Sequence, residues 1–279
     1  MSNARLAPDF LFEASWEVCN KVGGIHTVIS TKAQTVTRKF GDRYILIGPD
    51  LSHEGTNPEF EEDQTLLKAW RQAVYSEGLR IRIGRWKIKG EPLAVLVDFT
   101  SLIPRKDEIL TKLWESYHVD SLSGQWDYIE PVLFGYAAGT VIASYVKTFC
   151  SSTEKIVAHF HEWMSAAGGL YLRKYAPYVA TVFTTHATVM GRCIAGNRLP
   201  LYSDLAKFNA DELARQFNVT AKHSIEKTAA ANHDAFLTVS DITANECKFL
   251  LGREPDGITP NGFENDFVWT GEEYYAKRN

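Results

Sequence analysis

Apolar positions along this chain alternate between two periodicities. Residues 9–14 (DFLFEA), 44–49 (YILIGP) and 92–99 (PLAVLVDF) are short, nearly unbroken apolar runs with the length and make-up of buried strands. After the first of them the Gly23-Gly24 pair is followed by Ile25, Val28, Ile29, Ala33 and Val36, a helical spacing. The opening unit therefore reads as strand, glycine turn, amphipathic helix. Residues 54–58 (EGTNP) signal a turn within a polar connection, and the strict alternation of 79–84 (LRIRIG) predicts a half-exposed strand. From Pro131 to Phe149 the spacing is helical again, with Pro131 suited to a first turn, where its missing N–H does no harm.

The second half keeps the rhythm. Residues 156–161 (IVAHFH), 180–185 (ATVFTT) and 235–240 (AFLTVS) read as strands, each followed by a helical stretch, and 198–231 reads as a wholly helical excursion. Strands alternating with helices define the expected fold class: α/β, with a Rossmann-like, doubly wound, mostly parallel sheet. No internal repeat or long linker interrupts it. One domain is expected over residues 5–262, with 263–279 as the start of a linker towards a further domain. Residues 1–4 (MSNA) resemble the remnant of a cleaved tag and are set aside.

Composition narrows the function. Of the 279 residues 45% are hydrophobic and 23% charged, ordinary for a globular protein, and a formal charge of −4 offers no basic face for nucleic acid. Cys19, Cys150, Cys193 and Cys247 are widely spaced, with no C-x-x-C pair and no histidines at ligand spacing, so a reducing compartment and no metal site are expected. No signal segment or uninterrupted apolar run of spanning length is visible, which favours a cytoplasmic protein without a membrane partner.

Three strand-to-helix junctions carry candidate chemistry. At the first, Lys21-Val22-Gly23-Gly24 combines paired glycines, a helix start and a cation, which suits a phosphate; it equally suits a tight turn alone. At the second, His159-Phe160-His161-Glu162-Trp163 ends a strand where ligands of open α/β sheets gather, and polar plus aromatic groups there suit a sugar. His159 and His161, alternating on the strand, are expected to point to opposite faces, which disfavours a metal site and leaves only one of them facing a ligand. At the third, Thr184-Thr185-His186-Ala187-Thr188 runs on to Gly191-Arg192. A neutral His186 there can bond a sugar hydroxyl or a phosphate oxygen, and Arg192 can meet a phosphate. The alternative is a capping threonine, a core histidine and a solvated arginine. Thr259-Pro260-Asn261-Gly262 signals a turn. Neither a G-x-S-x-G elbow nor a P-loop pattern is present, so nothing points to a hydrolase or an ATPase.

Taken in order, residues 17–25 (EVCNKVGGI), 161–163 (HEW), 183–188 (FTTHAT) with Gly191-Arg192, 238–243 (TVSDIT) and 255–262 (PDGITPNG) resemble the eukaryotic-type glycogen synthases of fungi, animals and some bacteria. The resemblance implies the N-terminal domain of a glycosyltransferase-B fold, two Rossmann-like domains with the active site between them. It implies a retaining transfer of glucose from a nucleotide-glucose to the 4-hydroxyl of an α-1,4-glucan, without a metal or other cofactor. It further implies that Gly23 and Gly24 present N–H groups to the donor diphosphate, with Lys21 and Arg192 beside the phosphates and His186 near the transferred glucose. His161, Glu162 and Trp163 fall in the vicinity of the sugar and acceptor, and Asn261 at a strand-end turn on the donor side. The family's paired glutamates and the basic pair that grips the donor from the other side belong to the second domain, so the chain by itself is expected to be inactive. An oligomeric full-length enzyme is compatible with the family.

One departure bears on the donor. The fungal and animal pattern has arginine before Val-Gly-Gly, where Lys21 stands here, and lysine lacks the bidentate fork. The family match still favours UDP-glucose over ADP-glucose. Two other readings stay open: a different nucleotide-sugar glycosyltransferase of the same fold, making sucrose, trehalose phosphate or another glucoside, and a non-catalytic glucan-binding or regulatory module.

Overall fold

The computed structural model describes residues 7–52 and 55–262, together with Gly271 and Ala276. The expected tag remnant at 1–4 and the interdomain segment at 263–279 lie, apart from those two residues, outside the described part, as does Glu54 of the expected turn.

Strands β1 (Phe10–Ala14), β2 (Tyr44–Pro49), β3 (Phe60–Glu62), β4 (Arg80–Trp86), β5 (Leu93–Asp98), β6 (Ile156–His161), β7 (Ala180–Thr185), β8 (Ala235–Thr238) and β9 (Gly257–Ile258) form one sheet in the order β3-β4-β5-β2-β1-β6-β7-β8-β9. All pairings from β5 to β9 are parallel; β4 runs antiparallel to both β3 and β5. The helices are α1 (Gly24–Phe40), α2 (Lys68–Ser76), α3 (Lys106–Tyr117), α4 (Trp126–Phe149), α5 (Glu162–Tyr175), α6 (Val189–Gly196), α7 (Leu201–Asp204), α8 (Ala210–Gln216), α9 (Thr220–Asn232) and α10 (Asp241–Glu246). The doubly wound, mostly parallel sheet expected from the pattern is present.

The unbroken apolar runs have a simple cause: both faces of the sheet are covered, so positions on either face are buried, as all six are in β2. In β2, Ile45 and Ile47 join a core shared with α2, α4 and α5, while Tyr44 and Leu46 join Ile25, Ile29 and Ala33 of α1 on the opposite face. In β5, Val95 and Val97 divide from Ala94 and Leu96 in the same way. Leu201, Leu205 and Ala214 of the helical excursion build a third, local core with Met190, Ile194 and Leu250.

Several expectations change. Helix α4 begins at Trp126, so Pro131 stands in its second turn rather than its first. The buried Tyr128 lies before that proline, and packing fixes a helix start that proline placement alone would misjudge. By length and composition α4 is apolar enough to cross a membrane, but 72% of its most apolar stretch is buried within the fold, as in a core helix. Its Gly139 meets Gly168 of α5 so closely that a Cβ on Gly139 would stand 2.5 Å from the Gly168 carbonyl oxygen. The polar connection after β2 contains β3 and α2, and α3 follows β5; α2 and α3 each bury only two apolar residues one turn apart, Trp70 with Val74 and Ile109 with Leu113. That is too little periodicity to stand out in a sequence.

The chain passes from β1 outward to β2 on one side and returns to place β6 on β1's other side. The sheet order therefore reverses between β1 and β6, and the carboxyl ends of these strands form the crevice where doubly wound sheets take ligands.

Candidate active site at the sheet's switch point

Two adjoining cavities open at that crevice. The first, of about 400 Å³, lies between α1 and the sheet and is lined by Lys32, His159, His161, Thr184, His186 and residues 259–262, among others. The second, of about 430 Å³, is bordered by Glu17, Gly23, Gly24, Glu162, Trp163 and Arg192. His186 and Asn261 line both. Of the sequence-derived candidates only Lys21, exposed on the loop before α1, lines neither.

The expectation that His159 and His161 face opposite ways is overturned. Side chains alternate along a strand with period two, so residues two apart share a face. Their rings lie 4.1 Å apart, on the side of the sheet covered by α1. Register adds a third group: Glu13 of β1 pairs with His159 of β6 and points to the same side.

Glu13 is 2% exposed and is the hub of the first cavity's wall. Its Oε1 accepts from Lys32 Nζ at 2.5 Å and from His161 Nε2 at 2.5 Å, and its Oε2 accepts from Tyr44 Oη at 2.5 Å. Burial works to raise this carboxyl's pKa, but the Lys32 ammonium and the His161 hydrogen bond prevail and hold it well below the usual range. Lys32 comes from the stripe Val28, Thr31, Lys32, Thr35 that α1 turns towards the cavity. Glu13, His159 and His161 offer three ligand atoms within 4.8 Å of one another. The shared carboxylate oxygen already carries the Lys32 ammonium, so a metal cation there would compete with a resident positive charge.

The histidines form a chain. His161 Nδ1 lies 3.0 Å from His186 Nε2, and His159 Nε2 lies 2.7 Å from Thr184 Oγ1. Burial and neighbouring positive charge depress all three: His159 well below the ordinary value, His161 below it, and His186 to about 3. Each ring is neutral at physiological pH and can share a hydrogen bond with a hydroxyl without placing a charge beside it.

Of the two glycine amides expected to face a phosphate, that of Gly23 is engaged by one of the protein's own carboxylates. Glu17 Oε2 accepts from the Gly23 amide at 2.7 Å and the His26 amide at 2.9 Å, so in this structure a side chain holds the N–H expected to meet a donor phosphate. An anionic side chain at the positive end of α1 is stabilised by the same dipole that would attract a phosphate. At the carboxyl end of β7, Glu162 Oε1 accepts from the amides of His186 at 2.9 Å and Ala187 at 3.3 Å. Glu226, fully buried, accepts from Thr185 Oγ1 at 2.7 Å and from the Val189 amide at 2.9 Å. Burial, reinforced by the negative charge of Glu162, pushes the Glu226 carboxyl up to about 8. Thr188 caps α6 through the Gly191 amide at 2.9 Å, as the capping alternative predicted, and also bonds Glu246 at 2.8 Å.

Glu162 occupies left-handed backbone, φ 62, at the junction of β6 and α5, a conformation that costs a non-glycine residue about 1 kcal/mol. Its two amide hydrogen bonds offset that strain and tie the end of β6 to the loop carrying His186. Arg192, 64% exposed, approaches Glu162 at 3.8 Å and keeps its guanidinium at the mouth of the second cavity. Trp163 borders that cavity, but its ring stacks on Tyr128 and lies beneath the Lys222 ammonium, so protein neighbours engage it where a sugar-stacking platform was expected.

Glu13, Glu17, Lys32, Tyr44 and Glu226 were not singled out from the sequence. The available signal was an acid inside an apolar run: Glu13 in FLFEA, once the run is read as a buried strand, requires cationic or hydrogen-bonding partners.

A mostly parallel, doubly wound sheet with its candidate site at the switch point is the architecture of one Rossmann-like domain of a glycosyltransferase-B fold. Fold comparison agrees: the sucrose-phosphate synthase from Thermosynechococcus elongatus superposes with a TM-score of 0.53 over 96% of this chain and 52% of that one, at 13% identity. The glycogen synthase family model matches residues 13–270, and the chain belongs to that family. It is 38% identical to the glycogen [starch] synthase of Neurospora crassa over 256 residues, 90% of this chain and 36% of the relative. It is 36% identical to the human liver glycogen [starch] synthase over 257 residues, again 90% and 36%. The chain thus spans about a third of the length of the curated relatives it matches.

Proposed function

We propose that this chain supplies the N-terminal domain of a retaining glucosyltransferase that moves glucose from a nucleotide-glucose, UDP-glucose in preference to ADP-glucose, to the 4-hydroxyl of an α-1,4-glucan. The domain corresponds to residues 5–262 of a cytoplasmic enzyme. The observation that carries the reading is the meeting, at the switch point, of neutral His186 with two cavities that share it, one walled by hydroxyl-bonding imidazoles and the other fronted by Arg192. Relatives named glycogen [starch] synthase at 34–38% identity supply the reaction.

In this scheme the first cavity takes the transferred sugar and the second the diphosphate. His186 bonds a sugar hydroxyl, and Arg192 takes charge from the departing diphosphate. The Glu17 carboxylate beside Gly23 and Gly24 makes this half of the site poor at holding an anion by itself, so the remaining positive charge must come from a second domain that closes over the cleft and excludes water. The chain alone is therefore inactive.

The test is glucose transfer to glycogen from UDP-glucose and from ADP-glucose, by the protein that carries this chain and by this chain alone, with the anomeric configuration of the new bond read by NMR. α-Linked transfer by the former only, faster from UDP-glucose, supports the reading. Absence of transfer from either donor, or an inverted product, overturns it.

A further inference from the structure

We propose that Glu13, acting through His161, is a positioning residue that fixes the His186 ring in a single tautomer, so that His186 meets the bound sugar as a hydrogen-bond acceptor. The sugar part of this inference rests on the function proposed above; the relay itself is a property of the chain.

An ionised carboxylate only accepts, and the Glu13 carboxylate has three donors around it: Lys32 and His161 on Oε1, Tyr44 on Oε2, each at 2.5 Å. His161 must therefore carry a proton on Nε2. His161 is 2% exposed and its buried ring is neutral, with one proton to place, so Nδ1 is bare. That bare nitrogen lies 3.0 Å from His186 Nε2, and two bare nitrogens at that distance would leave a buried polar contact unmade. The His186 proton consequently sits on Nε2, and His186 Nδ1 keeps its lone pair. His159 does not compete, since its Nδ1 is 3.9 Å from Glu13 Oε1, too far for a hydrogen bond.

The consequence is selective. The sequence allowed His186 to bond either a hydroxyl or a phosphate oxygen. A bare Nδ1 repels the lone pairs of a phosphate oxygen and welcomes an O–H, so the relay assigns His186 to the sugar and leaves the phosphates to Arg192. It also explains why an acid is placed in a strand that otherwise reads as wholly apolar: a glutamine at position 13 could donate as well as accept, and the direction of the chain would be lost.

The test uses this chain labelled with 15N-histidine, in a proton–nitrogen correlation experiment that separates protonated from bare ring nitrogens. At neutral pH the expected result is a protonated Nε2 and a bare Nδ1 for His186. In Glu13→Gln the carboxamide can donate to His161 Nε2, so the two His186 signals should exchange places or average, while the backbone amide map elsewhere is retained. A proton on His186 Nδ1 in the unsubstituted chain overturns the proposal, as does an unchanged His186 pattern in a folded Glu13→Gln. Should Glu13→Gln not fold, the unsubstituted chain still decides. The measurement needs no ligand, so a failure of glucose transfer would count against the proposed function, and a wrong tautomer against the relay.

Discussion

The Glu17 carboxylate lies 2.7 Å from the Gly23 amide, at the position where a glycine pair opening a helix would otherwise hold a phosphate. The same oxygen takes the His26 amide, so α1 is capped by a side chain seven residues before its start. The residue at the N-cap position, Gly23, has no side chain with which to do this itself.

Glu17→Ala should therefore lower the stability of the domain by about 1–2 kcal/mol, the usual cost of losing a cap together with its interaction with the helix dipole. Urea unfolding of the two proteins measures it. Equal midpoints would mean that Glu17 contributes nothing to holding α1.

Glu226 predicts a pH dependence. Its carboxyl titrates near 8 in the folded chain and near 4.5 when exposed, so between those values the folded state binds the extra proton. Stability from this group is complete below about pH 4.5 and is lost as pH rises through 8. Glu226→Gln resembles the protonated form, whose amide can accept from Val189 and donate to Thr185. It should match the parent near pH 5 and exceed it at pH 9 by on the order of a few kcal/mol. Denaturation at the two pH values gives the comparison, and a constant difference between them would refute the assignment.

Gly139→Ala should destabilise the domain by about 1–3 kcal/mol, because its methyl group would stand 2.5 Å from the Gly168 carbonyl oxygen and force α4 and α5 apart. Gly196, at the end of α6, has nothing within 4 Å of an added Cβ and is the control. Thermal unfolding of both alanine variants should separate them clearly; similar losses would show that helix separation is not what Gly139 provides.

His186→Ala, in the protein that carries this chain, should reduce turnover roughly tenfold to a hundredfold, as expected when a hydrogen bond worth about 1–3 kcal/mol to the transferred sugar is removed. The half-buried side chain has a single hydrogen bond to His161, so the melting temperature should change far less than the rate. Steady-state kinetics beside a melting curve distinguishes the two roles, and a loss of stability with turnover intact would return His186 to the core.

Much of the architecture was legible from the sequence. β1, β2, β5 and β6 announce themselves because both of their faces are covered, and α1 because Ile25, Ile29 and Ala33 keep a helical stripe. β3, β9, α2 and α3 were not legible. Each is too short, or buries too few side chains, for a period to emerge from the residues around it. The site was half legible: His161, Glu162 and His186 stand at strand ends and Arg192 in the helix that follows, where a doubly wound sheet places its ligands. The carboxylates that direct them come from elsewhere in the chain.

By itself the sequence determined the alternation of strands and helices, the parallel sheet it implies, and the strand-end positions at which ligand chemistry gathers. These follow from local periodicity and from the burial of both sheet faces. Only the tertiary structure decided which groups touch. Glu13 meets His161 across 148 positions and Lys32 across 19, because strand register and the packing of α1 bring them together. It likewise set Glu17 on the Gly23 amide and Glu162 on the amides of His186 and Ala187. Proton placement and pKa depend on burial and on neighbours within a few ångströms, and no linear spacing encodes either until the chain is folded.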